Sequence, residues 1–264
     1  MDRPNTFLTT PVAILLSAFV ISIAILMHGG VIKIGGVTTT TTQTAAQPTQ
    51  QQAAAPQAPK VTLDTIKALF NNKNLVLGDK NSKNLLVEVA DPSCPYCHIA
   101  SGHNAALNKQ VGSQFTLVAD GGTYVAPVPE MKKLVDSGKA GFVYIYSPGH
   151  GNGEMGAKAL YCAQEKGKFW QVHDKLMTND GYTLLNTAVK NDKSKSGDIA
   201  NFLADVSNSA DMKSCLDSGK YDAKLQEDTT TASKLGVNGT PGFFINTTNF
   251  AGAYSWKDML SSVQ

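Results

Sequence analysis

Charge is scarce in this sequence. Asp, Glu, Lys and Arg together make up 17% of its 264 residues, and the net charge is +2. The basic residues are scattered, so no patch argues for nucleic acid as a partner. Cysteine is scarce as well. Four cysteines are too few for the disulfide frameworks that hold small secreted domains together, although the number is even. No internal repeat is evident, and the length allows one or two domains.

The lack of charge is most pronounced at the start. Residues 4–32 carry no Asp, Glu, Lys or Arg, and 11–27 read "PVAILLSAFVISIAILM". Phe7 to Met27 is long enough for one transmembrane helix. No Ala-x-Ala site follows directly, and the first candidate lies near Ala53–Ala55. No cysteine follows the apolar run, which excludes a lipoprotein anchor. We therefore expect residues 1–36 to be an uncleaved signal anchor rather than a cleaved signal peptide. Arg3 lies on one side of the run and Lys33 on the other, a weak charge bias. If the N-terminus stays inside, the rest of the chain lies outside the cytoplasm. Residues 37–59, "VTTTTTQTAAQPTQQQAAAPQAP", hold no charge and little to bury. They cannot offset their ordering entropy and read as a flexible linker.

Residues 60–264 have the patterning of a folded domain. "TLDTIKALF" offers Thr62 as a helix cap and sets Leu63, Ile66 and Phe70 on one face. "NLLVEVAD" (84–91), "GFVYIYSPG" (141–149) and "GFFIN" (242–246) read as buried strands. From Gly153 to about Gly236 apolar residues recur at helical steps. "SWKDMLSSV" (255–263) reads as a terminal helix, with Ser255 and Asp258 as a capping box. Strands flanking a helical block make the class α/β.

Chemistry concentrates in "DPSCPYCHIA" (91–100). Cys94 follows a strand and opens a helix, where backbone N–H groups favour a thiolate. Pro95 suits the first helical turn because it has no N–H to leave unpaired. Cys97, three residues on, lies within bonding reach, which makes Cys94 the exposed nucleophile and Cys97 the buried resolving thiol. Other readings exist. Zinc would need further ligands, and Cys162 and Cys215 stand alone. "CPYCH" could attach haem with His98 as axial ligand, but nothing else supports it. Two inert core cysteines remain an alternative for the motif taken alone.

Three segments together, "VEVADPSCPYC", "ALYCAQEKGKFWQVHDKLM" (159–177) and "GVNGTPGFFIN" (236–246), resemble the DsbA-like branch of the thioredoxin superfamily, the extracytoplasmic thiol–disulfide oxidoreductases. The resemblance covers nearly all of 62–264. It implies a thioredoxin-like fold with an inserted helical domain at about 150–235; the transmembrane helix and disordered linker read from composition precede it. It makes Cys94 the nucleophile, Cys97 its partner, Pro241 a cis-proline facing the disulfide, and Thr240 a backbone binding site for extended substrate. Pro95 and Tyr96 separate the cysteines, and Tyr96 stands where the strongest oxidants of the family have histidine.

Glu88 is the only charge in "LLVEVA". The resemblance implies an acid at this place beneath the cysteine pair, where it would shuttle the proton of Cys97; the alternative is an edge-strand residue facing water. Segment 113–131 departs from the family pattern and reads as a hairpin or loop near the site. "NGT" (238–240) and "NTT" (246–248) match glycosylation acceptors by chance. His173 is expected to pack within the helical domain, and His98 and His103 to sit at the surface. Outside the cytoplasm, Cys162 and Cys215 would pair as a structural disulfide once Cys94 and Cys97 are assigned to redox chemistry; two separate buried thiols are the alternative.

The expected protein is thus a membrane-tethered oxidoreductase that passes its disulfide to exported proteins through a mixed disulfide. It needs no bound cofactor or metal. A membrane partner would have to reoxidise it. The alternatives are a reductase or isomerase using the same site, and a non-catalytic thioredoxin-like binding module.

Overall fold

The computed structural model describes residues 60–264. The signal anchor expected within 1–36 and the linker expected at 37–59 lie outside the described residues. Among the described residues no helix is long and apolar enough to cross a membrane.

The sheet is built around strand β2 (Asn84–Ala90), buried along its whole length. Two further strands of the sheet are β1 (Leu75–Gly78) and β3 (Ala140–Tyr146); β4 (Gly242–Ile245) and β5 (Thr248–Ala251) form a hairpin. The order is β1-β3-β2-β4-β5. Only β2 and β3 are parallel; the other pairs are antiparallel. A strand covered on both faces needs a nearly continuous apolar run, and "NLLVEVA" and "AGFVYIY" supply it. Side chains alternate across the sheet. Leu86, Ala90, Phe142, Tyr144, Phe243 and Ile245 point into the larger core. Leu85, Val87, Val89, Val143, Ile145 and Phe244 point into the smaller one.

Helix α1 (Leu63–Ala68) closes the smaller core through Ile66, with Leu69 and Phe70 just past its end. Helices α2 (Pro95–Ser101), α3 (Ala105–Val111) and α4 (Pro127–Asp136) connect β2 to β3. Between β3 and β4 runs the helical block: α5 (Glu154–Gln164), α6 (Phe169–Leu176), α7 (Asn179–Thr183), a π-helical turn at Leu184–Val189, α8 (Ser196–Phe202), α9 (Ser209–Asp217) and α10 (Asp222–Lys234). Helix α11 (Trp256–Met259) follows the β4–β5 hairpin and runs into a 3-10 turn at Leu260–Ser262. Met131, Met155, Leu160, Phe169 and Val172 pack with Trp256 and Met259 in the larger core.

Several expectations change. Leu63, the first residue of α1, is 42% exposed, whereas Ile66 is fully buried. Strands β1 and β5, of four residues each, go unread in the sequence. Ser255 precedes α11 without capping it; its hydroxyl accepts from the amide of Val125 at 3.1 Å instead. Of the hairpin or loop expected at 113–131, the structure shows the loop. It makes two 3-10 turns, Ser113–Phe115 and Val118–Asp120, and then enters α4.

Candidate active site

Strand β2 ends at Ala90 and the chain turns through Asp91, Pro92 and Ser93 into α2. The amide of Cys94 donates to the carbonyl of Asp91 at 2.9 Å, and Cys94 is the N-cap of α2 with Pro95 in the first turn. Proline's fixed φ fits that position. Cys94 is only 5% exposed and Cys97 not at all. The nucleophile expected to be open to solvent is thus nearly covered, in part because the loop before β4 closes over it.

That loop contains a cis Thr240–Pro241 peptide. Its turn sets the Thr240 carbonyl oxygen 3.3 Å from Cys94 Sγ, as acceptor for the thiol. Gly149 backs onto the same residue: a Cβ there would lie 1.8 Å from Thr240 Oγ1. No other residue fits without moving Thr240.

The two sulfurs have opposite acidities. A hydrogen bond from Cys97 is the largest influence lowering the Cys94 thiol, to about 6. Burial opposes it; the otherwise unpartnered hydroxyl of Thr240 and the N–H groups of Cys97 and Tyr96 add to it. Burial pushes Cys97 well above the ordinary thiol value, and its hydrogen bond to Cys94, the Cys94 charge and the Glu88 charge push the same way. Near neutral pH the reduced pair is therefore one thiolate and one thiol.

Glu88 lies in the central strand, fully buried, on the Leu86–Ala90 side, opposite Tyr144 in register. Neither carboxyl oxygen has a hydrogen-bond partner. Burial raises its pKa to about 7, with the His173 charge lowering it and the Asp174 charge raising it.

Of the histidines His98, His103 and His173, only His98 departs from expectation. His98 is fully buried, with Nε2 at 2.8 Å from the carbonyl oxygen of Pro92 and Nδ1 at 2.9 Å from that of Met177. The end of α6 supplies the second acceptor, a contact that local periodicity cannot reveal. Burial lowers its pKa to about 4 although both carbonyls favour the cation. His103 lies at the surface, Nε2 at 3.2 Å from Asp174 Oδ1. His173 is buried in α6, Nδ1 at 3.0 Å from the same oxygen. Tyr96 is 44% exposed and meets Phe115 edge-on at 5.9 Å, so segment 113–131 flanks the cysteines.

Asp91 is a site residue that sequence reading missed. Its Oδ2 accepts from the amides of Gly149 and His150 at 2.8 Å and of Gly151 at 3.2 Å. Its Oδ1 takes the amide and hydroxyl of Ser93 at 2.8 and 2.7 Å. One carboxylate thus ties the active-site turn to the loop that leads from β3 into the helical block. The available signals were an acid directly after the strand and the glycines of "SPGHGNG". Away from the site, Cys162 of α5 and Cys215 of α9 are joined, with an S–S distance of 1.96 Å. Among the described residues no group of three or more His, Cys, Asp or Glu side chains is placed to hold a metal ion.

The thioredoxin family Thioredoxin_4 matches residues 128–264, a stretch that begins beyond the cysteine pair and includes Thr240 and Pro241. The fold is similar to that of oxidised BdbD from Bacillus subtilis, at 17% identity and TM-score 0.52, covering 72% of this chain and 91% of that one. It is similar to alpha-DsbA1 from Wolbachia pipientis at 18% identity and TM-score 0.56, covering 77% and 94%. A third is DsbA from Chlamydia trachomatis, at 14% identity and TM-score 0.52, covering 71% and 87%. At such identities the likeness is one of fold. The Na(+)/H(+) antiporter NhaA 3 of Salinispora tropica is 23% identical over 76% of this chain but 26% of its own length; NhaA 1 of Salinispora arenicola matches over the same shares. The chain spans about a quarter of the length of these curated relatives. With a thioredoxin-like α/β fold carrying a helical insertion, and the family matching more than half its length, the chain belongs to the DsbA-like thioredoxin family of thiol–disulfide oxidoreductases.

Proposed function

We propose that this protein introduces disulfides into exported proteins from the outer side of a membrane, held there by a single helix at 7–27 and a linker at 37–59. Residues 60–264 are the oxidoreductase domain, with the helical insertion at about 150–235. Cys94 is the nucleophile, Cys97 the resolving thiol and Glu88 the acid that exchanges its proton. Thr240 and Pro241 line the approach of an extended substrate, and Pro95 and Tyr96 shape the turn between the sulfurs. The disulfide of Cys162 with Cys215 is structural.

The chemistry balances without a bound cofactor. A substrate thiolate attacks Cys94 Sγ of the Cys94–Cys97 disulfide. That bond breaks, its electron pair goes to the Cys97 sulfur, and Cys97 takes a proton from Glu88. The second substrate thiolate then attacks the substrate sulfur of the mixed disulfide, and Cys94 leaves as a thiolate. Two electrons have moved from substrate to enzyme. A membrane redox partner must remove them before the next turn.

The observation that supports the oxidising direction is the lowering of Cys94 to about 6, a value between the roughly 7 of thioredoxin, a reductase, and the roughly 3.5 of the oxidant DsbA. A stabilised thiolate is a good leaving group and favours the reduced enzyme, which makes the disulfide a stronger oxidant. The reduction potential tests it. A value near that of strong oxidants, about −120 mV, supports the reading; one near about −270 mV assigns the site to a reductase, and one near about −180 mV to an isomerase. An insulin-reduction assay without turnover would leave only a binding module.

A further inference from the structure

Glu88 lies sealed from solvent, so any proton it exchanges with Cys97 must also travel between Glu88 and water. The groups coupled to this carboxyl by charge are His173, Asp174, Cys97 and Tyr144, and Asp91 and His98 are coupled in turn to Tyr144 and His173. Most of their polar atoms are taken. The Tyr144 hydroxyl donates to the carbonyl of Ala90 at 3.4 Å. Asp91 is engaged by the amides of 149–151 and by Ser93. Both ring nitrogens of His98 face carbonyls. Among these groups only Glu88 and His173 keep buried polar atoms without a partner: both carboxyl oxygens of one and Nε2 of the other.

The packing puts those atoms on the same side of the sheet. Glu88 projects with Leu86 and Ala90, opposite Tyr144. The Tyr144 ring lies 5.8 Å from that of Phe169, and Phe169 stacks on the His173 ring at 5.7 Å. On its other edge the His173 imidazole reaches Asp174 Oδ1 at 3.0 Å, and the same oxygen meets His103 Nε2 at 3.2 Å. His103 and Asp174 are each about one-third exposed, with side-chain values of 36% and 34%. His173, Asp174 and His103 therefore form a line from the interior to solvent, and Glu88 lies on the same side of the sheet, where the His173 charge bears on it.

We propose that His173, held by Asp174 and His103, is the station through which Glu88 exchanges its proton with water. The Nδ1–H of His173 donates to Asp174, which leaves Nε2 as a lone pair in the neutral ring and a donor in the charged one. A bridging water carries the proton between Nε2 and the carboxyl, since the two are not in direct hydrogen-bond contact. When the Cys94–Cys97 bond opens, Glu88 gives its proton to Cys97 and regains one from His173 Nε2. His173 is reprotonated from solvent on the Asp174–His103 side. When the disulfide re-forms, each proton runs back the same way. His173, Asp174 and His103 position and supply the acid; they touch neither sulfur.

The inference rests on the roles proposed above for Cys97 and Glu88, and the experiment separates the two. Oxidised full-length protein is mixed with reduced glutathione, quenched at intervals and alkylated, in H2O and D2O, from pH 5 to 8. Substituting His173→Gln should slow reduction about tenfold, at the lower end of what positioned proton transfer contributes. It should also enlarge the solvent isotope effect and leave the reduction potential unchanged. In a Glu88→Gln background the same substitution should change nothing further, because the station would have no acid to serve. Equal slowing in both backgrounds, or an unchanged rate and pH profile in His173→Gln alone, overturns the relay. If His173→Gln does not fold, Asp174→Asn and His103→Gln carry the test, with a smaller slowing that also vanishes in the Glu88→Gln background; its absence overturns the relay. Failure of the parent protein to exchange at all overturns the underlying site roles, and the relay with them.

Discussion

The sulfur of Cys94 and the carbonyl oxygen of Thr240 lie 3.3 Å apart, although 146 residues separate them in the chain. The cis Thr240–Pro241 peptide turns that carbonyl toward the start of α2. The contact suits a thiol, since a carbonyl can only accept. Once the thiol ionises, the Thr240 hydroxyl and the N–H groups of Tyr96 and Cys97 serve the sulfur instead. The same corner of the fold thus attends both protonation states of one atom.

Thiolate absorbance of Cys94, followed in reduced protein, should titrate with a midpoint near 6 rather than the ordinary 9.0. Because the folded pKa is depressed, the ionised thiol adds stability that is complete above the unfolded value and is lost as pH falls through about 6. Melting of the reduced protein should therefore rise relative to the oxidised protein between pH 6 and 9. Cys97 begins to act only above that window. A midpoint above 8 would refute the assignment of Cys94 as the activated thiol.

Replacing the resolving thiol should trap the intermediate. If Cys97 is the thiol that releases a substrate bound to Cys94, non-reducing gels of full-length Cys97→Ala expressed in cells should carry slow bands that vanish in the Cys94→Ala/Cys97→Ala double variant. Bands appearing instead in Cys94→Ala would reverse the roles of the two sulfurs.

The bond between Cys162 and Cys215 spans a sequence separation of 53. The chain-entropy model gives a loop of this size about 4 kcal/mol. Substituting both residues by alanine should cost roughly that much in denaturant unfolding while leaving glutathione exchange at Cys94 intact. A loss of exchange with the stability unchanged would place this pair in the redox path instead.

The sequence is legible where a segment's own chemistry decides its structure. Strands β2 and β3 are apolar throughout, so their burial follows from composition alone. Cys94 and Pro95 mark a helix start by the needs of its first turn. What stays hidden depends on distant neighbours. Strand β5, "TNFA", is largely exposed and exists because β4 offers it a hairpin partner. His98 reads as a surface residue until the end of α6 is seen to cap its ring from 79 residues away. Asp91 looks like a turn residue, and its three amide donors come from a loop beyond β3. The pairing of His103 with Asp174 likewise joins α6 to the turn after α2, which no local pattern encodes.

Glu88 should make the oxidised protein less stable as pH rises. Its folded pKa is raised from 4.5 to about 7 by burial, so its favourable contribution is full below 4.5 and is lost as pH climbs through 7. A shift of that size corresponds to about 3 kcal/mol at the alkaline end, the cost of ionising a carboxyl that has no hydrogen-bond partner. Glu88→Gln keeps the shape and removes the charge at every pH. The variant should match the wild type in denaturant unfolding near pH 4 and exceed it progressively between pH 4.5 and 7, with the gap level above pH 8. Exchange in Glu88→Gln should slow over the same range, because Cys97 then lacks its proton donor. Parallel stability curves across the whole range would mean that Glu88 titrates like a surface acid, and the proton would have to reach Cys97 by another route.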